Sequence, residues 1–355
     1  MQKTKIGIFG STGYTGLKLI DLILERDDLE IVFIGSEQHK GKPFTQEFPS
    51  YKNRVDLNFS GLNSEFIETL NQDIVDFVFF ATPNGVCFQH APSLISKGIH
   101  VIDLSADYRF RDIKTYERWY GFNRSDLEAN QEAIYGLVEF NHKIITEKAK
   151  SQKQGLLIGN PGCYTTASIL ALTPLFLFDN NNLDLSSIII DGKSGISGAG
   201  RKAETKLLFS ELNESCSPYN LGGKHRHIPE LETFFSEINQ EPVGVIFSPH
   251  LIPMTQGLLI TSYVKTKSKK INLAELKNHY KKTYENFPLN QILDDGIYPQ
   301  TIWAVNSNRS YIQVDFDEAK STLIITCAID NLVKGAGGQG LQNMDLIISA
   351  RLSAR

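Results

Sequence analysis

The chain has 355 residues, enough for two domains of ordinary size, and its 41% hydrophobic and 21% charged residues fit a globular protein rather than a disordered or fibrous one. A formal net charge of −4 argues against a strongly basic nucleic-acid binder, and no run approaches the roughly 18 apolar residues of a membrane span. No signal-peptide pattern precedes the first strand pattern, so cytoplasm is the expected location.

In chain order, "KTKIGIFG" reads as a buried strand, followed by glycines at Gly10, Gly13 and Gly16. "LKLIDLILER" then has the apolar spacing of an amphipathic helix. "LEIVFIG" is a second strand, "IVDFVFFATP" a third, and "HVIDLSADYR" a further strand and loop. A polar run over 144–154 leads to "GLLIGNPGC". Strands alternating with helices across glycine-marked turns predict an α/β first half with a Rossmann-type doubly wound parallel sheet. The second half is rich in strands with few helices between them: "SSIIIDGKSG", "EPVGVIFSPHL", "GLLITSYVKTK", "RSYIQVDFDE" and "STLIITCAID". It predicts an α+β domain on a mostly antiparallel or mixed sheet. "LVKGAGGQGLQNMDLIISARL" reads as a glycine turn and a terminal helix. The expected domains are 1–160, completed by the C-terminal segment 331–355, and 161–330.

The turn Gly10-Ser11-Thr12-Gly13-Tyr14-Thr15-Gly16 follows a strand and opens a helix. Glycines there let backbone approach a pyrophosphate, whose charge sits at the helix N-terminus. A tight turn with no ligand is the alternative. The end of the second strand reads Ser36-Glu37-Gln38-His39-Lys40. A hydroxyl with nearby cations suits a 2′-phosphate, so NADP(H) is favoured, although Glu37 resembles the acid of an NAD site.

Four cysteines, Cys87, Cys163, Cys216 and Cys327, are scattered with no CxxC pair, which disfavours a zinc site or a disulfide framework. Cys163 differs in its setting. It follows Asn160-Pro161-Gly162 and precedes a helical run, so it stands at a helix start. The dipole and free N–H groups there favour a thiolate and can hold an oxyanion. A nucleophilic thiolate needs a proton carrier. His225-Arg226-His227 supplies two imidazoles, which an extended segment would place on one side. His-x-His as a metal site lacks an obvious third ligand.

Taken together, "GSTGYTG", "GNPGCYTT" and "KHRHIPE" resemble the N-acetyl-γ-glutamyl-phosphate reductase family. "AIYGLVEFN", "GKSGISGAGRK", "FSPHLIPMTQGLL" and "NLVKGAGGQGLQNM" follow in the family's order, so the resemblance spans the chain. It implies an NADPH-dependent reduction of an acyl phosphate to an aldehyde through a cysteine thioester. Cys163 would be the nucleophile, with His225 or His227 as acid/base, unranked. Residues 10–16 match the pyrophosphate turn, Ser36 the 2′-phosphate position, and Asn331 a position near the nicotinamide. Ser194 and Gly195 match a mobile loop over the active site. Arg109 is a candidate for a substrate anion and Tyr219 for the pocket wall. Two positions depart from the family pattern: Glu37 where arginine is frequent beside the serine, and Gln256 likewise. The expected partners are a small acyl-phosphate substrate and a second or further copies of the chain, as a homodimer or homotetramer, with no nucleic acid and no membrane. Rival readings keep the chemistry on N-succinyl-glutamyl phosphate or a carrier-linked aminoadipyl phosphate, or drop catalysis for dinucleotide sensing.

Overall fold

A computed structural model describes residues 3–268 and 270–354. Two compact units divide the chain, one running to Pro161 and resuming at Ala336, the other Gly162–Gly335. The first contains β1 (Thr4–Phe9), α1 (Tyr14–Leu24), β2 (Leu29–Gly35), α2 (Phe44–Glu47), β3 (Phe59–Ser60), α3 (Ser64–Thr69) and β4 (Phe77–Phe80). It continues through α4 (Cys87–Ser96), β5 (His100–Asp103), α5 (Ile113–Tyr120), α6 (Leu127–Glu132), β6 (Ile134–Tyr135), α7 (Val138–Ser151) and β7 (Leu157–Gly159). The second opens with α8 (Cys163–Asp179), β8 (Ile188–Gly195), α9 (Phe209–Leu212), β9 (Ser217–Pro218), α10 (Ile228–Asn239) and β10 (Val245–Ile252). There follow β11 (Leu258–Lys265), α11 (Leu273–Thr283), β12 (Asn290–Ile292), α12 (Thr301–Ala304), β13 (Ser310–Asp317) and β14 (Thr322–Ile329). α13 (Gly338–Leu352) returns to the first unit.

The first sheet has the order β3-β2-β1-β4-β5-β7-β6, and every pairing in it is parallel. The order reverses at β1, which is where a doubly wound sheet opens its ligand crevice at the strands' carboxyl ends. Alternation along β1 feeds both faces. Ile6 and Ile8 pack with Leu19, Ile145 and Met344 under α1, α7 and α13, whereas Phe9 packs with Phe33, Phe80 and Leu94 under α3 and α4. The two-residue strands β3 and β6 carry no periodicity of their own and are absent from the sequence reading.

The second sheet is mixed, ordered β12-β13-β14-β11-β8-β10-β9, with β8–β10 and β12–β13 parallel and the other pairs antiparallel. β11 alternates strictly between buried and partly exposed residues up to its exposed last residue, so one face of the sheet is covered and the other is open. α8 lies on the covered face and is apolar all round; every residue from Tyr164 to Phe176 is buried. Pro174 interrupts its hydrogen-bond ladder, because proline has no N–H to give to Leu170 O. The Tyr284 hydroxyl donates to that carbonyl at 2.6 Å, and the Tyr280 hydroxyl donates to Ala171 O at 2.6 Å. Tyr284, the C-cap of α11, thus supplies Leu170 O with the donor that proline withholds.

One expectation needs correction here. The glycine-rich stretch before the terminal helix is not an open turn. Val333–Gly337 is a π-helical turn that runs directly into α13. Gly335 approaches Cys163 so closely that an added Cβ would lie 2.6 Å from the cysteine's own Cβ.

Candidate active site

Gly162 is the N-cap of α8, with φ −68 and ψ 156, and Cys163 is the first helical residue. No side chain caps this start, where the N–H groups of a first helical turn lack intrahelical acceptors. The Gly162 N–H itself is held by Glu230 Oε1 at 3.1 Å. Cys163 is partly exposed, whereas Cys87 and Cys327 are buried and burial pushes both their thiols up. Cys163 is therefore an accessible thiol on an otherwise buried helix, pinned from behind by thirteen buried residues.

The histidine segment is a turn, not the extended chain expected from sequence. His227 adopts a helical φ of −82 and ψ of −14 as the N-cap of α10, and Ile228 N–H donates to His225 O at 3.0 Å. The turn brings the two rings together edge to face, with centroids 4.7 Å apart. His227 N–H donates to His225 Nδ1 at 3.1 Å. An Nδ1 that accepts leaves the imidazole proton on Nε2, so His225 is a fixed neutral donor. Its ring is only 8% exposed and packs edge-on against Tyr164, Tyr219 and Phe247. Burial, then the neighbouring His227, lowers its pKa to about 2, and Glu230 opposes that shift only in part. His227 is the more exposed of the two.

Tyr164, the residue after Cys163, links these parts. Its ring also meets His227 at 6.1 Å, and its hydroxyl donates to His250 O at 3.1 Å. It forms side-chain hydrogen bonds with Tyr219 and Ser194 as well. Both phenols are held protonated, chiefly by burial, and charge on Cys163 adds to the effect in each. Tyr219 is fixed by its N–H donating to Pro249 O at 3.1 Å. The second unit therefore gathers Cys163, Tyr164, Ser194, Tyr219, His225, His227 and Glu230.

Glu230, the last residue of "KHRHIPE", has no site role in the sequence reading. It is 2% exposed and sits in the first turn of α10, so one carboxylate lies at the positive poles of two helices, α8 and α10. An acid in the first turn after Ile228-Pro229 is a readable helix-start signal, but nothing local says that it serves a second helix.

Other expected site residues have visible structural duties. Asn331 accepts from Gly257 N–H at 2.9 Å and donates to Ser197 Oγ at 2.9 Å. Gly195 N–H donates to Gly257 O at 2.9 Å, so Asn331 and Gly195 brace the same turn after β8. Ser194 is buried, its Oγ donating to Gly195 O at 3.1 Å. Gln256, one of the two departures, contacts Asp330 Oδ2 at 3.4 Å. Arg109 belongs to the first unit, where Nε donates to Asn160 O at 2.8 Å and a terminal nitrogen donates to Leu104 O at 3.2 Å. It braces the loop before Pro161.

In the first unit, Gly10 has φ +78, and a Cβ there would lie 2.2 Å from Ala81 O. A Cβ on Gly16 would lie 2.4 Å from Gly10 O. Gly13 differs. As the N-cap of α1 it has φ −78, and a Cβ would meet only Gly10 O at an ordinary 3.6 Å. The fold requires Gly10 and Gly16 and not Gly13. Ser11 is buried and donates through Oγ to Gly35 O at 3.1 Å. Tyr14 and Thr15 begin α1, and Thr12 lies in the turn before them. Past β2, Ser36 is nearly buried, and Glu37 Oε2 accepts from Leu62 N–H at 2.7 Å. The acid that resembles an NAD signature is thus tied to the neighbouring loop.

Comparison with known proteins agrees with this architecture. The family model for the semialdehyde dehydrogenase NAD binding domain matches residues 5–148, and that for the semialdehyde dehydrogenase dimerisation domain matches residues 163–331. The N-acetyl-gamma-glutamyl-phosphate reductase of Thermosynechococcus vestitus is 40% identical over 98% of this chain and 95% of its own. The enzyme of that name from Lachnoclostridium phytofermentans is 41% identical over 97% and 95%. Among solved structures, aspartate semialdehyde dehydrogenase II from Vibrio cholerae has the same fold, with a TM-score of 0.71, 19% identity, and coverage of 98% of this chain and 99% of that one. With a partly exposed cysteine at a helix start, a histidine pair packed on the next residue and near full-length relatives at this identity, the chain belongs to the N-acetyl-γ-glutamyl-phosphate reductase family of oxidoreductases.

Proposed function

We propose that the protein reduces N-acetyl-L-glutamyl 5-phosphate to N-acetyl-L-glutamate 5-semialdehyde with NADPH, in arginine biosynthesis in the cytoplasm. The observation that carries this reading is the placement of Cys163 as the first residue of α8, with Tyr164 packed on both imidazoles and Glu230 joining the two helix starts. Cys163 Sγ adds to the acyl carbon, and first-turn N–H groups of α8 steady the oxyanion. The bond from that carbon to the phosphate oxygen breaks, phosphate leaves, and a thioester remains. NADPH, when bound, supplies the hydride that reduces this thioester. His227 donates a proton to the carbonyl oxygen as a thiohemiacetal forms on Cys163, and takes it back as the C–S bond breaks and aldehyde leaves. His225, neutral and immobile, orients His227 through the turn hydrogen bond rather than carrying charge.

Two observations suit a dinucleotide on the first unit. The start of α1 has no side-chain cap, and Gly13 leaves space that the fold does not use. Gly10, Ser11, Thr12, Tyr14, Thr15 and Gly16 would complete that cradle. Ser36 would take the 2′-phosphate, and the engagement of Glu37 with Leu62 favours NADP over NAD. Self-association fits the open face of the mixed sheet. Ile189 and Ile246 are register partners on β8 and β10, are 41% and 53% exposed, and form an apolar surface. A second copy of the chain is its proposed occupant, and Ile246→Asp should shift the light-scattering mass to that of a monomer.

The test of the reaction is turnover in reverse, from N-acetylglutamate semialdehyde, NADP and phosphate. The N-succinyl and aminoadipate analogues serve as comparators. A rate with either analogue above that with the N-acetyl compound would replace the proposed substrate.

A further inference from the structure

A cavity of about 280 Å³ lies in the first unit at the amino ends of β1, β4 and β5, closed on one side by the end of α13. It opens at the strand ends opposite those that carry the glycine turn. Its apolar wall is Phe77, Ile347, Ile348 and Leu352, and its charged groups are Lys3, Asp76 and Arg351. His100 also lines it. That side chain is 3% exposed and stacks on Phe77, with centroids 4.7 Å apart at 20°. Its Nδ1 accepts from Leu156 N–H at 3.0 Å, so the ring proton is on Nε2.

Among the described residues none accepts from Nε2, so this N–H is a donor edge on the cavity. Burial, then Arg351, holds the imidazole neutral by lowering its pKa to about 3. Asp76 lies in the same lining, where its Oδ2 accepts from Lys5 N–H at 2.7 Å. Arg351 donates to the carbonyls of Gln152 and Gln154 at 3.5 and 3.2 Å, which holds its guanidinium at the cavity edge. The lining thus combines the cations Lys3 and Arg351 and a neutral N–H donor with one carboxylate, over an aliphatic and aromatic wall.

We propose that this cavity binds a small carboxylate with a short aliphatic body, its oxygens on His100 Nε2–H and Arg351 and its chain against Phe77 and Leu352. The site goes beyond the proposed reaction and uses none of its residues.

Trifluorobutyrate, followed by fluorine NMR on the full-length protein, tests it. Butylammonium and inorganic phosphate serve as sign and shape comparators. The expected result is saturable binding of trifluorobutyrate that persists with saturating NADP. Arg351→Gln should weaken it about tenfold or more, as expected for loss of a charge-assisted hydrogen bond, and Arg351→Lys should weaken it less. Turnover and the thermal midpoint of the ligand-free Arg351→Gln protein should stay close to the parent's, which keeps a folding defect separate from a binding defect. Binding that Arg351→Gln leaves unmoved, binding abolished by NADP, tighter binding of phosphate or butylammonium, or no saturable binding would each overturn the proposal.

Discussion

Two helix starts in this protein are built alike and put to different uses. α1 and α8 each follow a buried parallel strand, each has a glycine N-cap in extended conformation, and neither has a side-chain cap. The φ and ψ of Gly13 are −78 and 161, and those of Gly162 are −68 and 156. At α1 the next residue is the exposed Tyr14, and a side chain on Gly13 would make only an ordinary contact with Gly10 O. At α8 the next residue is Cys163, and Glu230 already holds the N-cap N–H. An uncapped helix start is a site for negative charge. Left open it suits a diffusible anion; given a thiol and locked by a neighbouring carboxylate, it suits a covalent one.

Several substitutions break or sharpen that contrast. Cys163→Ser should lower turnover by at least about 10⁴-fold while NADPH still binds, measured by fluorescence titration. His227→Asn should cost about 10²–10⁴-fold in kcat, and His225→Asn distinctly less. His225 should also leave the pH–rate profile in place, because it does not change charge near neutrality. Glu230→Gln should lower kcat about tenfold with little change in KM, since it disturbs alignment and not substrate contact. Gly13→Ala should weaken NADPH binding while the thermal midpoint barely moves, whereas Gly10→Ala should lower the midpoint because of its positive φ. Tyr284→Phe should cost about 1–3 kcal/mol in denaturant unfolding, leaving Leu170 O without its donor.

A smaller effect concerns pH and stability. His100 and His225 have folded-state pKa values of about 3 and about 2, below the ordinary imidazole range. The unfolded chain therefore binds more protons than the native one in acid. Their contribution to stability is intact above the unfolded pKa of about 6.5 and is lost as pH falls toward the folded values. Thermal midpoints measured downward from pH 7 should fall less steeply in His225→Asn than in the parent.

Much of this architecture is legible because it is written in periodicity and turn chemistry. β1 and its glycines, and the helix start at Cys163, are local patterns, and both appear in the structure where the sequence puts them. What escapes is non-local. The histidine pair is a turn because His227 starts a helix and returns its N–H to His225, which alternation alone does not foresee. Glu230 looks like a first-turn acid of one helix until the fold brings the second one to it. The glycine-rich stretch after Asn331 reads as a turn, yet it is π-helical, and at Gly335 a side chain would not fit against Cys163. β3 and β6 are too short to show a period.

The account rests on Cys163 forming a covalent acyl intermediate. The direct measurement is a single mixing of enzyme with N-acetyl-L-glutamyl 5-phosphate in the absence of NADPH, quenched in acid, with phosphate release and protein mass followed together. The account predicts a burst of phosphate stoichiometric with enzyme and an N-acetylglutamyl adduct on the peptide carrying Cys163, both absent in Cys163→Ser. Phosphate release that requires NADPH, or an adduct on any other residue, would contradict it.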